Sequence, residues 1–288
     1  MSDPTVLRDL IREAVYQTTL DGIERGLRVG ALISGGIDSS TVYRLAADPE
    51  MPTFTGYYAD DGFSEIEYAR LVKGRDHHEI LIGPDDFLEH WDTAVRCFKA
   101  PFQGPGMFGQ WMVARYASEH VGMLLSGEGG DELFGGYVRL QIVAGEPRRP
   151  GYEDYVLPID YPSTVEAALA WDLDRLDDLL AVDDQACGAF GVEARAPMTD
   201  ATVVEWVLAQ PAEERVGKRM LKEAMRGLVP DAILDREDKM GFPAPFVAWA
   251  QGPLREFVHD RIGYVPDPAK PFDRGWWNDL CEASLVTV

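Results

Sequence analysis

Cysteine is scarce in this 288-residue chain: Cys97, Cys187 and Cys281 stand far apart. They form neither a Cys-x-x-Cys ligand pair nor a disulfide framework, so a reducing compartment is the expected setting. Basic residues are outnumbered, 27 Lys and Arg against 49 Asp and Glu, for a formal net charge of -22. A surface of that sign repels phosphate backbones and argues against nucleic acid as a partner. Long apolar runs are missing too. Asp3, Arg8 and Asp9 interrupt the N-terminal stretch where a signal peptide needs an apolar core, and no window approaches the roughly 18 residues of a membrane span. The expectation is a soluble, cytoplasmic protein with no membrane partner, no repeat and no low-complexity tract.

What the chain does have is length, and 46% apolar residues, enough to bury a core without disulfide or metal. Apolar spacing over residues 5 to 25 (Val6, Leu7, Leu10, Ile11, Ala14, Val15, Ile23) predicts an amphipathic helix, capped by Ser2 or Asp3 with Pro4 in its first turn. Val29 to Ile33, then Ser34-Gly35-Gly36, then Ser39 to Ala47 reads as strand, glycine turn, helix. Short apolar runs recur at Thr53 to Tyr58, Glu79 to Ile82 and Gly122 to Leu125, with helical stretches at Ser64 to Lys73, Asp85 to Phe98 and Phe108 to Glu119 between them. That alternation predicts an α/β fold, a parallel sheet covered on both faces with its ligand at the carboxyl ends of the strands. Residues 146–163, rich in proline and without a steady period, read as an irregular loop between a core over 1–145 and a helical part over 164–288 with no convincing strands.

Two glycine-rich stretches carry the chemistry. Ser34-Gly35-Gly36-Ile37-Asp38-Ser39-Ser40 lies where a strand becomes a helix, so its backbone N–H groups predict an anion cradle to which Ser39 and Ser40 add hydroxyls. It lacks the lysine of a GxxxxGK[ST] loop and has Asp38, better matched to magnesium than to phosphate. A plain capped turn is the alternative. Ser126-Gly127-Glu128-Gly129-Gly130-Asp131-Glu132-Leu133-Phe134-Gly135-Gly136-Tyr137 also follows an apolar strand. Its three clustered carboxylates repel one another unless a cation or ligand sits among them, the alternative being a flexible acidic loop.

Together these motifs resemble the synthetase domain of asparagine synthetase, a PP-loop ATP pyrophosphatase. The resemblance extends through Glu193-Ala194-Arg195-Ala196-Pro197 with Asp200, then Lys218-Arg219-Met220-Leu221-Lys222-Glu223-Ala224, and Arg236 through Lys239-Met240-Gly241-Phe242. It implies a sheet of the adenine nucleotide alpha hydrolase-like type with a helical C-terminal half. It implies an amide-forming ligase in which ATP activates a carboxylate as an acyl-adenylate, pyrophosphate leaves, and ammonia or an amine takes the acyl group. Ser34, Gly36, Asp38 and Ser39 would hold the pyrophosphate end, with Ile33, Gly35 and Ser40 in the same nucleotide-binding stretch. Ser126 and Gly127 would contact the ribose and α-phosphate side. Asp38 and Asp131 are the implied magnesium ligands, Lys218 and Lys239 the charges that neutralise departing pyrophosphate, and Glu128 the group that takes the amine's proton.

The sequence departs from the family in places that bear on substrate. Ser2 stands where the glutaminase nucleophile of glutamine-dependent members would be, so nitrogen is expected from ammonia, an amine or a separate glutaminase or pathway partner. The aspartate-binding Thr-Thr-x-Arg stretch is replaced by Phe102-Gln103-Gly104-Pro105-Gly106-Met107-Phe108, which has no cation for a second carboxylate. An acid other than aspartate is therefore expected, in a pocket assigned to Phe102, Gln103, Phe108 and Glu193, with Met107 and Trp111 nearby as pocket or core. The setting implied is specialised metabolism, antibiotic biosynthesis included; the rival readings are an ammonia-dependent asparagine synthetase, a nucleotide-binding scaffold subunit and a tRNA-modifying relative. His77 and His78 point to opposite strand faces and are expected to be structural rather than metal ligands. Tyr152, Tyr155 and Tyr161 are expected to pack or to close over substrate, and the oligomeric state is left open, a homo-oligomer included.

Overall fold

The computed structural model describes residues 3–59, 62, 64–98, 104, 106–148, 152–153, 155–238, 244–266 and 274–286. Asp3 caps the first helix by accepting from the Thr5 amide at 2.9 Å, and Pro4 opens it, giving α1 (Pro4–Glu24). There follow β1 (Val29–Leu32), α2 (Ile37–Ala46), β2 (Thr53–Tyr57), α3 (Ile66–Val72), β3 (His77–Leu81), α4 (Pro84–Cys97), α5 (Gly106–Ala117) and β4 (Met123–Leu125). Next come α6 (Gly130–Phe134), α7 (Val138–Val143), α8 (Val165–Leu173), α9 (Leu176–Gly188) and β5 (Glu193–Arg195). The remaining elements are α10 (Ala201–Leu208), α11 (Ala212–Arg215), α12 (Arg219–Met225), α13 (Asp231–Leu234), α14 (Phe246–Gln251), α15 (Arg255–Ile262) and α16 (Arg274–Val286).

The five strands form one all-parallel sheet in the order β3-β2-β1-β4-β5. Progression runs outward from β1 through β2 to β3, then resumes at β4 on the other side of β1. This reversal opens a crevice at the carboxyl ends of β1 and β4, where an open α/β sheet places its ligand. Ala31 stands opposite Leu125 in that central pair. Alternate side chains serve the two faces. Met123 and Leu125 join Leu7, Ile11, Val42 and Leu221 on one side, and Leu124 joins Phe54, Phe87, Trp91, Phe108, Phe246 and Trp277 on the other. Helices late in the chain complete both layers: α10 and α12 pack on α1, and α16 packs on α4. The Arg8 guanidinium ties α1 to α12 by donating to the Ala224 carbonyl at 2.6 Å.

The structure differs from the sequence reading at β5, since no strand was expected after Thr164. Three residues suffice there because Glu193, Ala194 and Arg195 extend the sheet beside Met123, Leu124 and Leu125. The pairing comes from the tertiary neighbour, not from an apolar run. His77 and His78 behave as expected of an edge strand: His77 Nδ1 lies 2.9 Å from the Thr53 hydroxyl, while His78 stacks on Phe54. The Tyr161 hydroxyl donates to Asp172 at 2.9 Å and its ring meets Trp171 edge-on, so this tyrosine is packing. Tyr152 and Tyr155 lie with ring centres 6.1 Å apart. No helix among the described residues is long and apolar enough to cross a membrane.

Candidate active site

The loop after β1 is braced by its own serines. Ser39 Oγ accepts from the Ser34 amide at 3.1 Å and lies 3.1 Å from Ser34 Oγ, which in turn accepts from the Gly36 amide at 3.3 Å. Gly35 takes φ +79°, and a side chain there would strike the Glu65 carbonyl oxygen, so the turn requires glycine. Arg236 closes the outside of the turn. It donates to the Gly35 carbonyl at 3.4 Å, pairs with buried Glu65 at 2.5 Å and with Asp238 at 3.0 Å, and lies 3.7 Å above the Tyr68 ring.

The loop after β4 runs directly against the start of α2. A Cβ on Gly127 would lie 2.5 Å from the Ser39 amide nitrogen and 2.7 Å from the Asp38 carbonyl carbon, and one on Gly130 would collide with the Asp38 carboxyl. Backbone cannot yield as a side chain can. Gly127→Ala is therefore expected to lower stability by about 1–3 kcal/mol. Gly188→Ala, whose added Cβ meets nothing within 4 Å, should not. Thermal melts of the two variants check this, and equal melting would contradict the close approach.

Lys218 joins the two loops from a third segment. Its backbone is left-handed, φ 61°, directly after Gly217 at φ 67°, and Gly217 N donates to the Gly135 carbonyl at 2.8 Å. A lysine held in that region is strained, and such strain clusters at functional sites. The buried ammonium contacts Asp38 Oδ2 and lies 2.5 Å from Asp131 Oδ1.

A cavity of about 240 Å³ opens at the junction. Ile33, Ser34, Asp38 and Ser39 line it from the first loop, Ser126, Gly127, Glu128 and Asp131 from the second, and Gln110, Asp183 and Cys187 from α5 and α9. Burial pushes Glu128 well above the usual carboxylate range, and the carboxylates of Asp183, Glu132, Asp131 and Asp38 push it further. Burial likewise raises Asp183 to about 6, an effect that the nearby Ser126 hydroxyl opposes. The Cys187 thiol is raised to about 12 by burial and by Asp183 and Asp184, so it stays protonated.

The Asp183 shift has a consequence for stability. Its proton affinity is higher folded than unfolded, so its stabilising contribution is complete below the ordinary value of 3.8 and is lost as pH rises through about 6. Asp183→Asn should raise the melting temperature of the ligand-free protein by a few degrees at pH 7.5 and leave it nearly unchanged near pH 4. Melts across that range test the expectation, and parallel curves for the two proteins would contradict it.

Sequence-expected site residues thus fall into four groups. Ile33, Ser34, Asp38, Ser39, Ser126, Gly127, Glu128 and Asp131 meet at the cavity, with Lys218 against two of them. Gly35 and Gly36 shape the turn, and Ser40 is fully buried; these three do not line the cavity. Phe108 and Glu193 are corrections. Phe108 is fully buried against Phe87 and Phe246, because residues 108, 111 and 112 lie on the face of α5 opposite Gln110, Val113 and Ala114. Glu193 sits on the edge strand and pairs with Arg25 and with Arg195 at 2.9 Å, away from the cavity. Phe102, Gln103 and Lys239 lie outside the described residues.

Gln110, Asp183 and Glu65 were missed. Asp183 had a signal, an acid on the same face of α9 as Leu179, Val182 and Ala186; Gln110 had another, an amide in an apolar helix. Glu65 had none, since its partner Arg236 is remote in sequence.

Strand order, glycine turn and clustered acids define the class: an α/β chain with a glycine–serine turn opening a helix beside carboxylates at its topological switch point. The asparagine synthase family model matches residues 7–173 and 158–273, and the chain belongs to that family. It is 24% identical to the glutamine-hydrolyzing asparagine synthetase 1 of Bacillus subtilis over 328 aligned residues, covering 88% of this chain and 52% of the relative. A putative glutamine-hydrolyzing asparagine synthetase of Mycobacterium tuberculosis is 27% identical, with 88% and 51% covered. Asparagine synthetase 2 of Arabidopsis thaliana is 26% identical, with 90% and 46% covered. The chain spans about half the length of the curated relatives it matches.

Proposed function

We propose that this chain is an ATP-dependent ligase that adenylates a carboxylic acid and passes the acyl group to ammonia or an amine. One observation carries the reading: Ser34 and Asp38 from one loop and Glu128 and Asp131 from another converge at a single cavity, with Lys218 from a third segment paired behind it to Asp38 and Asp131, in a member of the asparagine synthase family.

On this reading the acid's carboxylate oxygen attacks the α-phosphorus of ATP, forming an acyl–phosphate bond as the bond to pyrophosphate breaks. The amides opening α2, with the Ser34 and Ser39 hydroxyls, hold the pyrophosphate oxygens, and Lys218 and Lys239 balance their charge. The amine nitrogen then attacks the acyl carbon, AMP leaves, and the nitrogen's proton passes to Glu128, whose burial among carboxylates favours proton uptake. Val113, Ala114 and Leu124 wall the cavity and keep water from the adenylate.

Magnesium fits the donor set. Asp38 and Asp131 are hard oxygen donors close enough to share one ammonium, and two carboxylates completed by water and phosphate oxygens are what magnesium takes. No cluster of three metal-binding side chains forms among the described residues, so phosphate oxygens would complete the shell. When bound, the ion supplies charge neutralisation on the phosphates.

The described lining contains no basic side chain, so the second carboxylate of aspartate would enter without a counter-charge. This favours an acid other than aspartate; the proposed setting in specialised metabolism rests on the family resemblance alone. The test is nucleotide product analysis with a panel of acids, ammonium and amines. AMP with pyrophosphate is expected; ADP with phosphate would replace adenylation by acyl phosphate chemistry.

A further inference from the structure

Among the described residues, six carboxylates line the main cavity: Asp38, Glu65, Glu128, Asp131, Glu132 and Asp183. Four are engaged from behind the wall, Asp38 and Asp131 by Lys218, Glu65 by Arg236, and Glu132 by the Tyr137 hydroxyl. Glu128 and Asp183 have no such cation among the described residues of the lining, whose polar groups beside them are Gln110 and Ser126. Asp183 is 5% exposed. One of its oxygens accepts from Gln110 Nε2 at 3.3 Å, and the other is buried with no hydrogen-bond partner within 3.5 Å among the described residues. A buried carboxylate oxygen left in that state is costly unless a ligand completes it.

A second cavity, of about 200 Å³, meets the first at Gln110 and Glu128. Met107, Leu179 and Val182 wall it, so among the described residues it offers apolar contact and no charge beyond Glu128. We propose that Glu128 and Asp183 form the receptor for a primary ammonium group whose organic remainder lies against Met107, Leu179 and Val182. An ammonium brings one positive charge and three donors to carboxylates with oxygen to spare. A divalent ion fits less well, because it needs about six oxygen ligands and the described lining of the second cavity adds no side-chain oxygen beyond those of Gln110 and Glu128. The inference deepens the ligase reading and rests on it only for the fate of the amine; binding itself needs no ATP.

Thermal shift and calorimetry on the full chain test it, with ammonium, methylammonium and butylammonium chlorides against potassium chloride at equal ionic strength. The amines are expected to stabilise wild type beyond potassium, with affinity rising about fourfold per methylene from methyl to butyl. Asp183→Asn, which should fold at least as well, loses the effect, and Gln110→Leu weakens it. Equal shifts for all salts, or amine shifts that survive in Asp183→Asn, overturn the receptor. Kinetics then locate the ammonium. A raised KM for the acid in pyrophosphate exchange by Asp183→Asn puts it on the acid, and unchanged exchange with a raised amine KM puts it on the nucleophile; no change in either overturns the proposal. Amine-specific binding without AMP from any acid keeps the receptor and removes the ligase reading.

Discussion

Lys218→Met is expected to destabilise the protein by about 3 kcal/mol and to slow adenylation by roughly 10³-fold. The side chain is 5% exposed and is the shared partner of Asp38, itself 10% exposed, and Asp131, at 29%. Removing the ammonium leaves two carboxylates facing each other in a crevice of low polarizability. The partial exposure of Asp131 keeps the cost toward the lower end of what a broken buried pair brings. Magnesium chloride should then recover part of the lost melting temperature, because the ion replaces the lost positive charge beside Asp38 and Asp131, whereas nucleotide-free wild type should respond little. Melts with and without magnesium check the first half and pyrophosphate exchange the second. A variant that melts like wild type would show that Lys218 does not hold the two loops together.

Glu128→Gln separates the two half-reactions. The side chain lines the cavity beside Asp183, and burial among carboxylates gives it a strong affinity for a proton. Glutamine keeps the shape and cannot take the amine's proton. Substrate-dependent pyrophosphate exchange should persist within a few-fold, while amide formation falls by about 10²–10⁴-fold. The assignment predicts that split; equal loss of both reactions would put Glu128 in nucleotide or acid binding instead.

The parts legible in the sequence were those whose signal is local. Glycine turns after apolar runs marked both loops, because the close approach of Gly127 and Gly130 to Asp38 leaves no room for any other residue. The central strands were legible because burial on both faces makes them continuously apolar. β5 was not, since Glu193 and Arg195 are charged and their strand geometry comes from pairing with β4. Phe108 misled because an aromatic beside a pocket motif and an aromatic in a core look alike; only its helical phase relative to Gln110 distinguishes them. Asp183 shares α9 with Asp177, Asp178 and Asp184, so its charge alone does not set it apart. Its significance lies in what it faces, Glu128 across a cavity, which no spacing within α9 encodes.

The central claim is that the two glycine loops and Lys218 assemble a site that adenylates a carboxylic acid. ATP–pyrophosphate exchange, measured without any amine across a panel of carboxylic acids, tests it most directly. The account predicts acid-dependent exchange by wild type and by Glu128→Gln, and roughly 10³-fold slower exchange by Lys218→Met. Saturable ATP binding with no exchange for any acid would contradict it.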